Sequence, residues 1–118
     1  MIVAVTEWKG RISPVFDEAM LARLYETCEG EAYLIKEIEL KTMFFGSRVS
    51  QLLEEKVETL ICGAISANIE HQAQLGGINV ISFVSGNIEE IIKIYARGEW
   101  NKSEFAMPGC RTKEDEKK

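Results

Sequence analysis

The chain has 118 residues, of which 46% are hydrophobic and 28% charged, and its formal net charge is −5. This length suits one domain, and the composition is typical of a globular protein with its own core. The net negative charge argues against a protein that binds nucleic acid in general and against binding to an anionic membrane surface. No apolar run reaches the roughly 18–20 residues of a membrane-spanning helix, and the N-terminus lacks signal-peptide features, so we expect a cytoplasmic protein.

Apolar runs, glycines and helix-capping residues predict strands and helices in alternation along the chain. A first strand covers residues 2–6, and strands 21–28 and 32–40 flank a glycine-centred turn that is typical of a hairpin. Helices are predicted over 47–55, from Ser66 to a pair of glycines at 76–77, and over 88–97, with Ser66 and Asn87 as side-chain caps. Two further strands, 57–63 and 80–84, lie between these helices.

Strands joined by helices run parallel, whereas the hairpin adds antiparallel neighbours. The fold class is therefore predicted as α/β, with about five strands in a mixed sheet flanked by helices. In the second hairpin strand, strict alternation would place Tyr33 and Ile35 on one face and Leu34 and Lys36 on the other. Ligands of such sheets bind where strands end and helices begin, so loops 6–17, 63–66 and 85–87 are expected to form the site.

Residues 10–17, Gly-Arg-Ile-Ser-Pro-Val-Phe-Asp, form an unusual loop after the first strand, which we call the signature loop. It offers a cation on Arg11, a hydroxyl on Ser13 and a carboxylate on Asp17, which suits a loop that grips an anion or a cofactor. The alternative is a structural turn in which Phe16 fills the core and Asp17 caps the next turn.

The chain has three cysteines, Cys28, Cys62 and Cys110, and an odd number without a secretory signal indicates reduced thiols. Cys62 ends a predicted strand just before a helix N-terminus, which favours a thiolate that could bind metal; the alternative is a small core residue. Cys110 lies beside Arg111 in an irregular segment and is either a soft-metal ligand or an incidental exposed thiol.

Other common sites have little support in this sequence. No Cys-x-x-Cys pair occurs, and the single histidine, His71, excludes a two-histidine metal site and is typical of a helix surface. No glycine-rich phosphate loop occurs, so no nucleotide cofactor is expected.

Several segments together resemble the dinitrogenase iron–molybdenum cofactor biosynthesis family. Residues 10–19, which include the signature loop of this chain, look like the family's own characteristic loop. Later segments follow in order at 61–66, 77–81, 86–90 and 107–110. The resemblance covers residues 1–110 as a single domain and leaves 111–118 as a charged tail that we expect to be disordered. It implies a ribonuclease H-like architecture, a three-layer domain with a five-stranded mixed sheet and helices on both faces, generally without nuclease activity.

The resemblance also implies a function, because family members include small carriers or chaperones that hold the iron–molybdenum cofactor or its precursors. We therefore expect a non-catalytic carrier of a metal–sulfur cofactor, with metallocofactor donor and acceptor proteins as partners and with neither nucleic acid nor membrane. Members associated with nitrogenase cofactor often carry a histidine where this chain has Val15, so no histidine contact is carried over to that position.

The residues that match the family's segments define the candidate site. The candidates for cofactor contacts are Arg11, Ser13, Phe16, Asp17, Ser66 and Ser85. Cys62 and Cys110 are the candidate metal ligands, and no catalytic residue is expected. Two thiols are few ligands for a metal–sulfur cluster. The protein could therefore bind the cluster weakly, share it across a homodimer or bind none. A metal-free protein-interaction or regulatory module is the competing function, and thiol redox or hydrolytic chemistry is a third.

Overall fold

A computed structural model describes residues 1–40, 47–100 and 105–106 of the chain. In chain order its strands are β1 (Ile2–Trp8), β2 (Arg11–Ile12), β3 (Leu21–Cys28), β4 (Glu31–Glu39), β5 (Thr59–Ile61) and β6 (Asn79–Ile81). The described helical elements are one 3-10 turn (Phe16–Glu18) and the helices α1 (Ser47–Glu54), α2 (Ala67–Leu75) and α3 (Ile88–Ala96). None of these helices is long and apolar enough to cross a membrane.

The strands form one mixed sheet in the order β4-β3-β1-β5-β6, with β2 paired to β1. β1, β5 and β6 run parallel, with Val5 opposite Ile61, whereas β3 lies antiparallel between β1 and β4. The predicted α/β class, the hairpin and the parallel strands are therefore confirmed. The sheet has one strand more than predicted, because the start of the signature loop pairs back onto the end of β1.

Helices cover both faces of the sheet, which confirms the three-layer architecture. On one face, buried residues of α1 and α2, such as Leu52, pack against Leu60 of β5. On the other face, the isoleucines of α3, such as Ile91, pack against Ile61. Successive residues of β5 thus point into opposite layers, and each fully buried aliphatic side chain contributes about 1.5–3 kcal/mol.

A β-bulge in the hairpin overturns the predicted alternation of β4. Lys36 lies opposite Leu24 and Leu34 lies opposite Tyr25, so Ile35 is an extra residue without a partner position on β3. An extra residue reverses the faces of the residues that follow it. As a result Ala32 packs into the α3 layer, whereas Ile38, six residues on, packs toward α1.

All three helices begin at the edge of the sheet where the parallel strands end. β1, β4, β5 and β6 run toward this edge, and each helix follows one of these strands. The N-terminal end of a helix carries partial positive charge and backbone N–H groups that have no partner within the helix. We call this side of the molecule the carboxyl edge; it combines three helix starts with the signature loop.

Candidate functional site

Backbone hydrogen bonds fix the first half of the signature loop against its neighbours. The Ser13 amide donates to the Thr6 carbonyl oxygen at 2.9 Å, which folds the loop back over the end of β1. The Ile12 amide donates to the Gly86 carbonyl at 3.0 Å, and the Ile88 amide donates to the Gly10 carbonyl at 3.1 Å. The loop is thereby joined to the segment between β6 and α3.

The second half of the signature loop is joined to the segment between β5 and α2. The Ala64 amide donates to the Pro14 carbonyl at 2.8 Å, and the Phe16 amide donates to the Ala64 carbonyl at 2.7 Å. Gly63 permits this approach, because a Cβ atom there would lie 2.4 Å from the carbonyl oxygens of both Ser13 and Pro14. The prediction that three loops meet at one edge is confirmed.

Phe16 and Asp17 occupy the places that the structural interpretation of this loop predicted. Phe16 is fully buried in the core cluster that also contains Cys62. The Asp17 carboxylate accepts a hydrogen bond from the Ser66 amide at 3.2 Å, at the start of α2. The predicted capping role of the Ser66 side chain is wrong: the Ser66 hydroxyl forms no capping bond, because Asp17 reaches the helix end from another segment.

The remaining candidates for cofactor contacts differ in their exposure. Arg11 is exposed and forms no ion pair with any described residue, so its guanidinium faces solvent at the carboxyl edge. Ser13 is buried. Ser85 is half-buried, and its amide donates to the Phe105 carbonyl at 2.7 Å. The structure therefore brings all six candidates to one edge but leaves Arg11 as the exposed cation among them.

Of the two candidate thiol ligands, Cys62 alone lies within the described residues. Cys62 is 0% exposed and follows Ile61, so it lies beside Thr6 at the next position of the parallel strands and points toward α1 and α2. Cys110 lies outside the described residues. Cys28 is exposed at the hairpin turn, on the opposite edge of the sheet, and His71 is exposed on α2. Within the described residues no three His, Cys, Asp or Glu side chains cluster as a metal site would.

A buried arginine at this edge, Arg48, was not predicted from the sequence. Arg48, in the first turn of α1, is only 5% exposed and donates from Nη1 to the Ala19 carbonyl, just after the Phe16–Glu18 turn. Burial lowers the pKa of Arg48, and the negative charge of Asp17 opposes this shift. The spacing carried a signal, since Arg48 precedes Leu52 by four residues and so shares the inner face of α1.

Three buried side-chain atoms lack hydrogen-bond partners in the part of the chain that the structure describes. They are the Thr6 hydroxyl, the Ser66 hydroxyl and Nη2 of Arg48. All three belong to residues at the carboxyl edge. Buried polar groups are normally satisfied, so these three atoms are hydrogen-bonding groups that the described residues leave available.

Exposed apolar side chains surround the same edge. Trp8, Pro14 and Val15 line a cavity of about 260 Å³ together with Ser13 and Glu18. Phe83, in the loop after β6, is 39% exposed and has a φ of +60°. This conformation is costly for a residue other than glycine, and such strain is concentrated at functional sites.

The arrangement can bind an anion through exposed and buried donors, whereas it offers few soft metal ligands. Arg11 supplies a solvent-facing charge, and the helix starts add partial positive charge. Of their N–H groups, those of Ser66, Ile88 and Glu90 are already bonded within the protein. Among the described residues, Cys62 is the one thiol at this edge, and it lies within the core. Charge and hydrogen bonding are therefore the main attractive forces available here.

Most of this chain is similar to one known protein family. The family model for "Dinitrogenase iron-molybdenum cofactor" matches residues 1–98. The comparison with curated protein sequences gave no match. The match spans the signature loop and all the helices and strands described above.

Solved structures share the fold over most of their length. The protein PH0822 superimposes with a TM-score of 0.79 at 16% identity, covering 86% of this chain and 94% of that chain. A Methanocaldococcus jannaschii protein provisionally described as a dinitrogenase gives a TM-score of 0.65 at 19% identity, covering 86% and 93%. A Thermotoga protein provisionally described as a NifB protein gives 0.61 at 21% identity, covering 96% and 97%. At these identities the likeness shows the fold alone.

Proposed function

The chain belongs to the dinitrogenase iron–molybdenum cofactor family, and from this premise we propose that it is a non-catalytic carrier of a metal–sulfur cofactor of the iron–molybdenum type, or of its precursor. The cargo would bind at the carboxyl edge and pass between donor and acceptor proteins. A carrier of this kind would act in the cytoplasm, where thiols stay reduced.

The observation that carries this proposal is the exposed Arg11 at an edge where three helices begin. Arg11 stands on the two-residue strand β2, whose backbone forms a bridge to Asn87 at the start of α3. The guanidinium is therefore anchored on rigid elements yet free to meet an anion in solvent. A sulfide-rich cluster is anionic, and arginine is the natural counter-charge for it.

The small number of thiols suits delivery rather than permanent storage. Cys62 and Cys110 would supply two soft ligands at most, and Cys62 would need the core around Phe16 to open. A cluster held mainly by Arg11 and backbone N–H groups can leave without breaking several metal–thiolate bonds. Sharing of the cargo across a homodimer would double the thiols and remains part of the proposal.

Exposed apolar residues favour a second candidate function, a metal-free protein-interaction module on the same fold. Trp8, Met20 and Phe83 are large apolar side chains exposed at or next to the carboxyl edge. Aromatic and methionine side chains of this kind are enriched in protein interfaces. In a carrier they would contact the donor or acceptor; without cargo they would be the main functional surface.

The test of the carrier function is the metal content of the protein. We expect anaerobically purified or reconstituted protein to hold stoichiometric iron, molybdenum or copper with sulfide, and to show sulfide-to-metal charge-transfer bands. Cys110→Ser should lower the metal content without altering the circular dichroism spectrum. Absence of metal under both conditions would contradict the carrier and favour the interaction module.

Arg11→Glu tests the proposed contact with the cargo. We expect the apparent affinity for the cluster to fall at least about tenfold, because an attractive charge pair becomes a repulsive one. The matched control is Lys9→Glu, since Lys9 is an exposed cation two residues away that lies over the Trp8 ring at 4.8 Å. Equal affinity in wild type and Arg11→Glu would remove Arg11 from the site.

A further inference from the structure

Arg48 is a buried cation in an unfavourable position. Its side chain is 5% exposed, and it forms no ion pair with any described residue. It also stands in the first turn of α1, where the helix dipole disfavours positive charge. Buried charges are normally paired, so this guanidinium calls for an anion.

The hydrogen bonding of Arg48 is only half complete. Nη1 donates to the Ala19 carbonyl, whereas Nη2 is buried and has no hydrogen-bond partner in the described ranges 1–40, 47–100 and 105–106. Asp17 lies near enough to act on the charge of Arg48, but its carboxylate is bound to the Ser66 amide and caps α2. Among the described residues, no carboxylate therefore forms a direct ion pair with the guanidinium.

Within the described part of the chain, two more donors without partners lie at the same edge. Thr6 lies in β1 two residues after Ala4, so its hydroxyl is on the face that α1 and α2 cover. The Ser66 hydroxyl stands at the start of α2. Hydroxyl groups and guanidinium N–H groups are the donors that bind the oxygen atoms of small oxyanions. Because all of these donors are buried, we restrict the ligand to a small ion.

We propose that Arg48 is the centre of a buried binding site for a small inorganic oxyanion, at the start of α1 and beneath the Phe16–Glu18 turn. The oxyanion would accept a charge-assisted hydrogen bond from Nη2 of Arg48, while Nη1 keeps its bond to Ala19. Because Nη2 is closed off from solvent here, the groups that cover it must shift for the ion to enter. This site goes beyond the proposed carrier function and does not depend on it.

The experiment measures thermal unfolding of the full-length protein in increasing sulfate, phosphate or molybdate, with sodium chloride at matched ionic strength as reference. We expect a saturable rise in Tm with at least one oxyanion, since a ligand that binds only the folded state stabilises it. In Arg48→Met the apparent affinity should fall at least about tenfold, because one charge-assisted hydrogen bond is lost. Arg97→Met, which removes an exposed cation after α3, is the control that should respond as wild type does.

The outcomes separate a site from a general salt effect. An equal rise in Tm for wild type and Arg48→Met, or no rise above the chloride reference, would overturn the proposal. Without oxyanion, Arg48→Met should be at least as stable as wild type, because it removes an uncompensated buried charge. If Arg48→Met does not fold, the side-chain NMR signals of Arg48 in wild type decide instead: they must shift on titration with the oxyanion. Cluster binding and oxyanion binding are measured separately, so failure of one leaves the other standing.

Discussion

At the scale of single residues, the candidate side chains of the carboxyl edge divide into buried and exposed groups. Cys62 and Phe16 belong to one core cluster, so the thiol contributes to packing whether or not it also binds metal. The Arg11 side chain, by contrast, is exposed, forms no ion pair with any described residue and is available for binding. Substitutions should therefore separate stability from binding residue by residue.

Cys62→Ser tests the packing role of the thiol. We expect a loss of about 1–3 kcal/mol in the free energy of unfolding, because a hydroxyl is costlier than a thiol to bury in an apolar cluster. Cys62→Ala should be less destabilising than Cys62→Ser, and Cys28→Ser, at an exposed position, should change stability by less than about 0.5 kcal/mol. Urea denaturation measures all three. Wild-type stability of Cys62→Ser would mean that the site is not a dry core position.

At the scale of elements, Asp17 connects the signature loop to α2. Its carboxylate accepts the Ser66 amide proton and thereby satisfies one of the free N–H groups at the helix start. The carboxylate comes from 49 residues away in the sequence. Loop and helix should therefore gain or lose order together.

Asp17→Ala should lower the free energy of unfolding by about 0.5–2 kcal/mol, which is the usual cost of removing a helix cap. Asp17→Asn keeps an oxygen acceptor and should retain most of the stability, which separates the hydrogen bond from the charge. Glu18→Ala is the matched control, since Glu18 is the exposed neighbour in the same turn. Hydrogen exchange of the Ser66 amide should speed up in Asp17→Ala alone; unchanged exchange would show that the carboxylate does not cap α2.

At the scale of the whole molecule, a polar network ties the sheet to the α3 layer. The Tyr25 hydroxyl donates to the Glu89 carboxylate at 3.0 Å, and Arg23 forms ion pairs with Glu7, Glu37 and Glu89. Burial, together with the negative charge of Glu89, raises the pKa of Tyr25 above its ordinary value of 10.0. The neutral phenol is therefore the form that the folded protein favours.

Tyr25 should make the folded state sensitive to alkali. Because its pKa is higher in the folded than in the unfolded protein, its stabilising effect is complete below about pH 10 and is lost as the pH rises through the folded pKa. Tyr25→Phe should therefore show a shallower fall of Tm above about pH 10 than wild type. Tyr33→Phe is the comparison: the hydrogen bond to Glu31 raises the pKa of Tyr33 too, but Tyr33 is exposed on β4, so solvent screening should leave a smaller effect on Tm. Parallel curves for wild type and Tyr25→Phe would contradict the role of the buried phenol.

The sequence by itself determined the three helices, the five longer strands and their order, because local patterns are strong enough to specify them. Apolar runs marked the buried strands, and Gly30 with its φ of +80° closes the hairpin as its position between two strands predicted. Asn87 caps α3 as the spacing to Glu90 indicated, by accepting the Glu90 amide proton. Alternation of strands and helices then limited the fold to a layered α/β domain with its loops at one edge.

Only the tertiary structure decided which side chains are buried at that edge and what they contact. The cap of α2 comes from Asp17 instead of Ser66, and the bulge at Ile35 reverses the faces of β4. The lack of space at Gly63 and the half-satisfied guanidinium of Arg48 also depend on distant segments. Each of these features arises from atoms far apart in the chain that meet only after folding, so no local pattern could specify them.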